Sequence, residues 1–215
     1  MAGTPSQQQL ATIADVLVRE LASHGQVRTF ARNAVIINEG DNSDALFVIL
    51  SGRVKIYSSD DSGREIVYDD HDAGEYVGEM ALDGRPRSAS VMTLEPTVCS
   101  VLNRDEVRRA IATNPDIAIQ ILSTLIDRAR VATTSVRNLA LLDVYGRVAR
   151  LLLDLAEEKD GKLVIPERLT QQDIGDRVGA SRDMVSRIFK DLVTGGYIRI
   201  DHKIITILRK PPERW

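Results

Sequence analysis

Glu79 and Arg87 are of the right types, at the right spacing, to act together on one small ligand. They stand in the stretch Val77-Gly78-Glu79-Met80-Ala81-Leu82-Asp83-Gly84-Arg85-Pro86-Arg87-Ser88-Ala89-Ser90. Gly78 and Gly84 let backbone N–H groups come close to a bound molecule. Such a nest, with one guanidinium and the Ser88 hydroxyl, suits a compact anion such as a phosphate. Glu79 repels a phosphate but suits a hydroxyl beside it, such as a ribose 2′-OH. The combination reads as a sugar-phosphate pocket. On charge alone it reads equally as a surface turn in which Glu79 and Arg87 pair with each other.

A second constellation lies near the C-terminus. Thr170-Gln171-Gln172-Asp173 has the form of a helix-capping box. Ile174, Gly175 and Val178 follow on one helix, Gly179 in a turn, and Val185 and Ile188 on the next helix. A small residue at 175 lets the two helices touch, and a glycine at 179 permits the sharp turn between them, which is the helix-turn-helix pattern. The second helix starts at Ser181 and carries Arg182, Asp183, Ser186, Arg187 and Lys190 on its polar side. Arg can hold guanine O6 and N7 with two hydrogen bonds, and Asp can accept from cytosine N4. Thr170, Gln172 and Ser181 suit phosphates, which position without reading sequence. Tyr197–Ile200 and Ile204–Leu208, around Asp201-His202-Lys203, read as a hairpin wing with Lys203 on the DNA backbone.

The elements that must position these groups follow from hydrophobic spacing. Residues 1–8 are small and polar and are expected to be poorly ordered. Leu10, Ile13, Val16, Leu17 and Leu21 predict one short helix over 9–23. Residues 35–37, 45–50, 53–57, 65–68, 88–91 and 98–102 read as strands. Gly40, Gly52, Gly63 and Gly74 recur every eleven or twelve residues, the rhythm of an antiparallel barrel or jelly roll. His71, between Asp70 and Asp72 with no second His or Cys nearby, reads as a solvated turn residue rather than a metal or haem ligand. Residues 103–114 predict a short helix, and Asn114-Pro115 starts a longer one. Ile117, Ile121, Leu125, Ala132, Ser135 or Val136, and Leu139 form its stripe. A stripe so long and narrow looks like a two-helix seam, with packing on the chain's own barrel as the alternative. Ala129, Ala132, Thr133 and Thr134 would leave room between two such helices. A further helix runs from Tyr145 to Glu158, and Leu163–Ile165 reads as a short strand in a polar link.

Three family resemblances rest on these residues. Gly78, Glu79, Met80, Ala81, Leu82, Pro86, Arg87, Ser88 and Ala89 closely resemble the phosphate-binding cassette of cyclic-nucleotide-binding domains. Asn138-Leu139-Ala140-Leu141-Leu142-Asp143-Val144 is similar to the hinge of the catabolite-activator and fumarate–nitrate-regulator superfamily. Arg182-Asp183-…-Arg187 resembles the Arg-Glu-…-Arg of its activator branch, one methylene shorter at Asp183. The resemblance covers about residues 27–208. It implies an α+β chain: a sensor domain (1–113) with a β-barrel or jelly-roll fold, a long dimerisation helix and hinge (114–140), and a winged helix-turn-helix domain (141–215).

By that resemblance Glu79 takes the ribose 2′-OH of a cyclic nucleotide, most directly cyclic AMP, and Arg87 and Ser88 take its cyclic phosphate. Arg128 matches an Arg that touches the Glu–ribose end, and Thr133 matches a hydroxyl that meets the base. Ala132 stands where the activator has another hydroxyl. The implied partners are a palindromic double-stranded DNA operator and a second copy of the chain, since members of this class bind as dimers over two half-sites. RNA polymerase is a further candidate partner, through the link at 159–168.

Composition narrows the classes. Net charge is −3, yet residues 170–215 hold nine Lys/Arg against six Asp/Glu, which fits one basic end facing DNA. Cys99 is the one cysteine. That excludes an internal disulfide framework, a multi-cysteine zinc site and the N-terminal cysteine cluster of the fumarate–nitrate branch. Cys99 itself reads as a buried or half-buried strand residue. No apolar run has membrane-spanning length and no signal peptide is visible, so the expected compartment is the cytoplasm, with no membrane partner. With three Phe and one Trp, a purine would be held by polar groups and aliphatic packing. No nucleophile–base pair, metal spacing or phosphate-transfer loop is present, so an enzyme is not expected. The readings left open are a regulator answering cyclic di-GMP or no ligand, and a nucleotide-binding regulatory subunit of an enzyme.

Overall fold

The structure, a computed structural model, describes residues 3–166, 168–202 and 204–212. It divides into two compact units, the first ending at Arg128 and the second beginning at Ala129.

In the first unit the alternating stretches become β1 (Gln26–Phe30), β2 (Val35–Ile37), β3 (Leu46–Ser51), β4 (Arg53–Ser59), β5 (Glu65–Asp72), β6 (Tyr76–Val77), β7 (Ser90–Thr93) and β8 (Thr97–Leu102). They pair antiparallel in two four-stranded sheets, β1-β8-β3-β6 and β2-β7-β4-β5. The glycines at 40, 52, 63 and 74 fall in the turns between β2 and β3, β3 and β4, β4 and β5, and β5 and β6, as their rhythm predicted. Among the described residues no strand pair joins the two sheets, so this is a jelly-roll sandwich rather than a closed barrel. Phe47, Ile49, Val77, Cys99 and Val101 from one sheet meet Ile37, Val54 and Val91 from the other in a shared core. Burial raises the Cys99 thiol pKa to about 12. β3 is buried on both faces: Leu46, Val48 and Leu50 turn the other way, onto helices. An apolar run without alternation is what a strand covered on both sides requires.

Those helices differ from expectation at the N-terminus. The single helix predicted over 9–23 is two, α1 (Gln7–Leu10) and α2 (Val16–Ser23). Asp15 restarts the helix by accepting from the Leu17 and Val18 N–H groups. Ile13, between the helices, is fully buried. The N-terminal segment is also tied down: the Gly3 carbonyl accepts from Val27 N–H, and Ser6 forms a capping box with Gln9. α3 (Arg104–Thr113) begins with an Asn103–Glu106 capping box.

The long helix α4 (Asp116–Leu141) has 26 residues. Its predicted stripe is corrected in the first half. Ile117 and Ile121 are buried, and Leu125 packs on the same cluster, so these residues cover the unit's own helices and sheet. A different face remains open: Ile119, Leu122 and Ile126 are 62%, 53% and 45% exposed, and Val136 65%. Ala129, Thr133 and Ala140 complete that three-and-four spacing and are exposed too.

His71 is the other correction. It is 3% exposed, not a solvated turn residue, because β5 runs on to Asp72 and pairs His71 with the buried Val54 of β4. An ion pair between Arg53 and Asp70 at 2.9 Å supports that extension.

The second unit packs α5 (Val144–Asp154), α6 (Gln171–Val178) and α7 (Arg182–Thr194) with a sheet of β9 (Glu157–Lys159), β10 (Lys162–Ile165), β11 (Ile198–Asp201) and β12 (Ile204–Ile207). The strand order is β11-β12-β10-β9. α5 stops at Asp154, short of the expected Glu158, because Glu157–Lys159 pairs with β10. Tyr145, Val148, Leu152, Ile174, Val185, Phe189, Leu192 and Ile205 share one core. Among the described residues no helix is long and apolar enough to cross a membrane.

Candidate ligand pocket and nucleic-acid interface

The cassette begins where β6 ends. Gly78 has φ +92, and a Cβ there would lie 2.7 Å from both the Ala45 carbonyl oxygen and Arg87 Nη1. Only glycine lets the chain turn into the 3-10 turn Glu79–Asp83 at that distance. Met80 and the Ala81 backbone belong to this turn. Two backbone hydrogen bonds, Gly40 N–H to Arg87 O at 2.9 Å and Arg87 N–H to Asp41 O at 3.0 Å, fix the far end of the cassette to the loop after β2.

Within this frame Glu79 and Arg87 do not pair with each other, and neither is a surface residue: they are 8% and 5% exposed. Glu79 Oε1 is 2.7 Å from Arg128 Nη1, and Arg128 Nη2 donates to the Tyr76 carbonyl at 2.7 Å. Arg87 donates through Nη1 to Gly78 O at 2.9 Å, and through Nη2 to Ser43 Oγ at 2.8 Å and Ala45 O at 2.6 Å. Its Nε is buried without a hydrogen-bond partner among the described residues. Burial pulls the Arg87 pKa below the usual guanidinium value, and the negative charges of Asp44, Glu79 and Asp41 oppose that pull. A buried guanidinium with a spare donor and no carboxylate bonded to it is costly unless an anion completes it.

Ser88 is exposed and donates to Met80 Sδ at 3.3 Å, a weak acceptor that gives way readily to an oxygen. A cavity of about 250 Å³ lies between Asn42, Ser43 and Asp44 on one side and Gly84 and Arg85 on the other, with Arg104 also lining it. Ser43 and Ala45, which hold Arg87, were not singled out from sequence. They sit more than forty residues upstream, and only the fold brings them to it. Thr133 lies in the second unit, where its hydroxyl donates to the Ala129 carbonyl at 2.9 Å.

In the second unit the capping box forms: Thr170 Oγ1 accepts from Asp173 N–H at 3.1 Å, and Asp173 Oδ2 accepts from Thr170 N–H at 2.7 Å. Gly175 is buried at the contact of α6 with the following turn, where a Cβ would lie 2.6 Å from the Ala180 carbonyl oxygen. Gly179 caps α6 in the left-handed region, φ 64. Ser181 caps α7 by accepting from Met184 N–H at 3.3 Å. Val185, Ile188, Phe189 and Leu192 then face the core, which leaves Arg182, Asp183, Ser186, Arg187 and Lys190 exposed on the opposite side. The Gln172 amide donates to Asp176 at 2.7 Å. Thr170, Gln172 and Ser181 are thus already engaged in shaping the helices, whereas the arginines of α7 stand clear. Lys203 lies outside the described residues; β11 and β12 form the wing on either side of it.

Comparison with known proteins agrees with both constellations. Residues 27–114 match the cyclic nucleotide-binding domain family, and residues 146–211 match the Crp-like helix-turn-helix domain family. The chain is 33% identical over 193 residues to the cAMP-activated global transcriptional regulator CRP of Salmonella typhimurium, covering 86% of this chain and 90% of that protein. It is 34% identical over 183 residues to the CRP-like cAMP-activated global transcriptional regulator of Mycobacterium tuberculosis, covering 83% and 82%. Among solved structures it superposes on the c-di-GMP responsive global regulator CLP of Xanthomonas campestris with TM-score 0.77 and 26% identity, over 89% of this chain and 97% of that one. A cyclic-nucleotide-binding fold and a helix-turn-helix of this type in one chain place the protein in the CRP/FNR family of transcription regulators.

Proposed function

We propose that the protein is a homodimeric regulator whose operator binding is controlled by a cyclic mononucleotide, cyclic AMP first, held in the cassette. The observation that carries this reading is Arg87, buried and with an Nε that has no hydrogen-bond partner among the described residues, beside an exposed hydroxyl whose present acceptor is only a thioether. In this reading Arg87 and Ser88 take the cyclic phosphate. Glu79 takes the ribose 2′-OH, Arg128 holds Glu79, and Thr133 meets the base. The exposed face of α4, from Ile119 to Ala140, pairs with its copy. Ligand acts by binding one arrangement of the dimer more tightly than another. Arg182, Asp183, Ser186 and Arg187 read base edges, and Thr170, Gln172, Ser181 and Lys203 meet the phosphates.

A second reading keeps the regulator and changes the ligand to cyclic di-GMP. The likeness to a c-di-GMP responsive regulator favours it, as does Ala132, which offers no hydroxyl. The relatives named for cyclic AMP are closer in sequence and favour the first.

Calorimetric titration with cyclic AMP, cyclic GMP and cyclic di-GMP tests both. The expected result is saturable binding of one mononucleotide, weakened about tenfold or more in Ser88→Ala and lost in Arg87→Gln. Tight cyclic di-GMP binding with no mononucleotide binding would move the conclusion to the second reading.

A further inference from the structure

Met80 is 59% exposed, and its sulfur is in contact with the hydroxyl of the cassette. Ser88 Oγ donates to Met80 Sδ at 3.3 Å. From this contact we propose that Met80 is an oxidation site, and that its sulfoxide closes the cassette to a cyclic phosphate. The second half of the inference rests on the proposed role of Ser88.

The chemistry is a two-electron oxygen transfer. The sulfur lone pair attacks one oxygen of a peroxide, the S–O bond forms as the O–O bond breaks, and the departing oxygen leaves as water after proton transfer. Sulfur is oxidised and peroxide reduced. The step is reversible by a sulfoxide reductase, with a thiol pair oxidised to a disulfide and water released.

The consequence follows from acceptor strength. A thioether accepts a hydrogen bond weakly, so Ser88 can be drawn from Met80 to a phosphate oxygen. A sulfoxide oxygen is a strong acceptor with negative partial charge. It holds the Ser88 hydroxyl and places like charge beside the incoming anion. The chain has four methionines. Met184 is 43% exposed on α7 and Met92 is half-buried, so Met80 is the most exposed methionine among the described residues and Met92 the natural internal comparison.

The test treats the full-length protein, in a Met184→Leu background, with dilute hydrogen peroxide. Oxygen addition at Met80 and Met92 is followed by peptide mass mapping, and cyclic AMP affinity is read by calorimetry on the same samples. Met80 should oxidise well before Met92. Affinity should fall about tenfold or more, the loss of one hydrogen bond to a charged group, and return after treatment with methionine sulfoxide reductase and dithiothreitol. Met80→Gln, which carries an amide oxygen at similar reach, should bind more weakly without any oxidant. In Met80→Leu the ratio of affinities before and after peroxide should be one. Complete oxidation of Met80 with unchanged affinity overturns the proposal, as does a peroxide-dependent loss that persists in Met80→Leu or a Met80 that resists oxidation. Untreated protein that binds no cyclic nucleotide overturns the reading of the cassette itself, and that result is seen before any oxidant is added.

Discussion

Arg128 Nη1 stands 2.7 Å from Glu79 Oε1, and this contact ties the start of the cassette to the long helix. The Glu79 side chain is 6% exposed and that of Arg128 22%. The same guanidinium donates to the carbonyl of Tyr76, three residues before Glu79, and lies 5.2 Å from the Tyr76 ring centre. One side chain therefore holds both the carboxylate and the strand that delivers it.

Removing that side chain strands a buried carboxylate. Arg128→Ala should lower the stability of the first unit by about 1–3 kcal/mol, the cost of an unsatisfied buried group. Urea unfolding measures it. Arg128→Ala combined with Glu79→Gln should cost less than the two changes summed, since the second removes the charge that the first leaves alone.

Gly175 tests the other unit separately. A valine there brings its Cβ to 2.6 Å from the Ala180 carbonyl oxygen, a backbone atom that cannot yield without moving the turn. Gly175→Val should cost about 1–3 kcal/mol and abolish operator binding in gel-shift assays. Nucleotide affinity, for which the proposed reading uses no residue of α6 or of the turn after it, should be unchanged by calorimetry.

Glu75 provides a pH test. Burial works against its ionisation, but hydrogen bonds from the His71 ring and the Asp72 N–H, with the charges of His71 and Arg128, outweigh it and hold the carboxyl below its ordinary 4.5. The folded state thus binds this proton less well than the unfolded state. The stabilisation is complete above pH 4.5 and is lost as pH falls through the lower folded value. Wild type should exceed Glu75→Gln in thermal stability at neutral pH, and the gap should close as pH drops below 4.5. A gap that widens in acid would contradict the assignment.

The exposed face of α4 predicts the oligomeric state. Ile126 is 45% exposed within the run Ile119, Leu122, Ile126, Ala129, Thr133, Val136. Ile126→Glu should convert a dimer to a monomer in sedimentation velocity, because a carboxylate in an apolar seam finds no partner there. As a surface change in the isolated chain it should shift monomer stability by no more than about 0.5 kcal/mol.

Local signals were legible in the sequence. The short helix after Asn103, the capping box at Thr170, the turn at Gly179 and the Gly78–Ser88 cassette depend on groups within a few residues of one another. Side-chain type and spacing therefore specify them before any tertiary contact exists. The same holds for the polar side of α7, since its core side was marked by Val185 and Ile188. By itself, the sequence determined that the chain carries a glycine-framed turn of the cyclic-nucleotide cassette pattern, a long helix and a helix-turn-helix pair.

Tertiary structure decided which groups those elements meet. The face of α4 carrying Ile117, Ile121 and Leu125 and the face carrying Ile119, Leu122 and Ile126 are both apolar, and only the position of the first unit's sheet selects the former for burial. His71 lies in a run of acids that reads as a turn. Pairing with β4 extends the strand through it and directs its ring to the buried side, where Glu75 meets it at 2.9 Å. On charge alone Glu79 and Arg87 could be a mutual ion pair instead of a pocket, yet each has other partners. Pairing of β3 with β6 through Phe47↔Val77 brings Ala45 and Ser43 to Arg87, and the packing of α4 brings Arg128 to Glu79. Contacts across forty or fifty residues depend on strand register and helix docking, and neither is encoded in the few residues around each site.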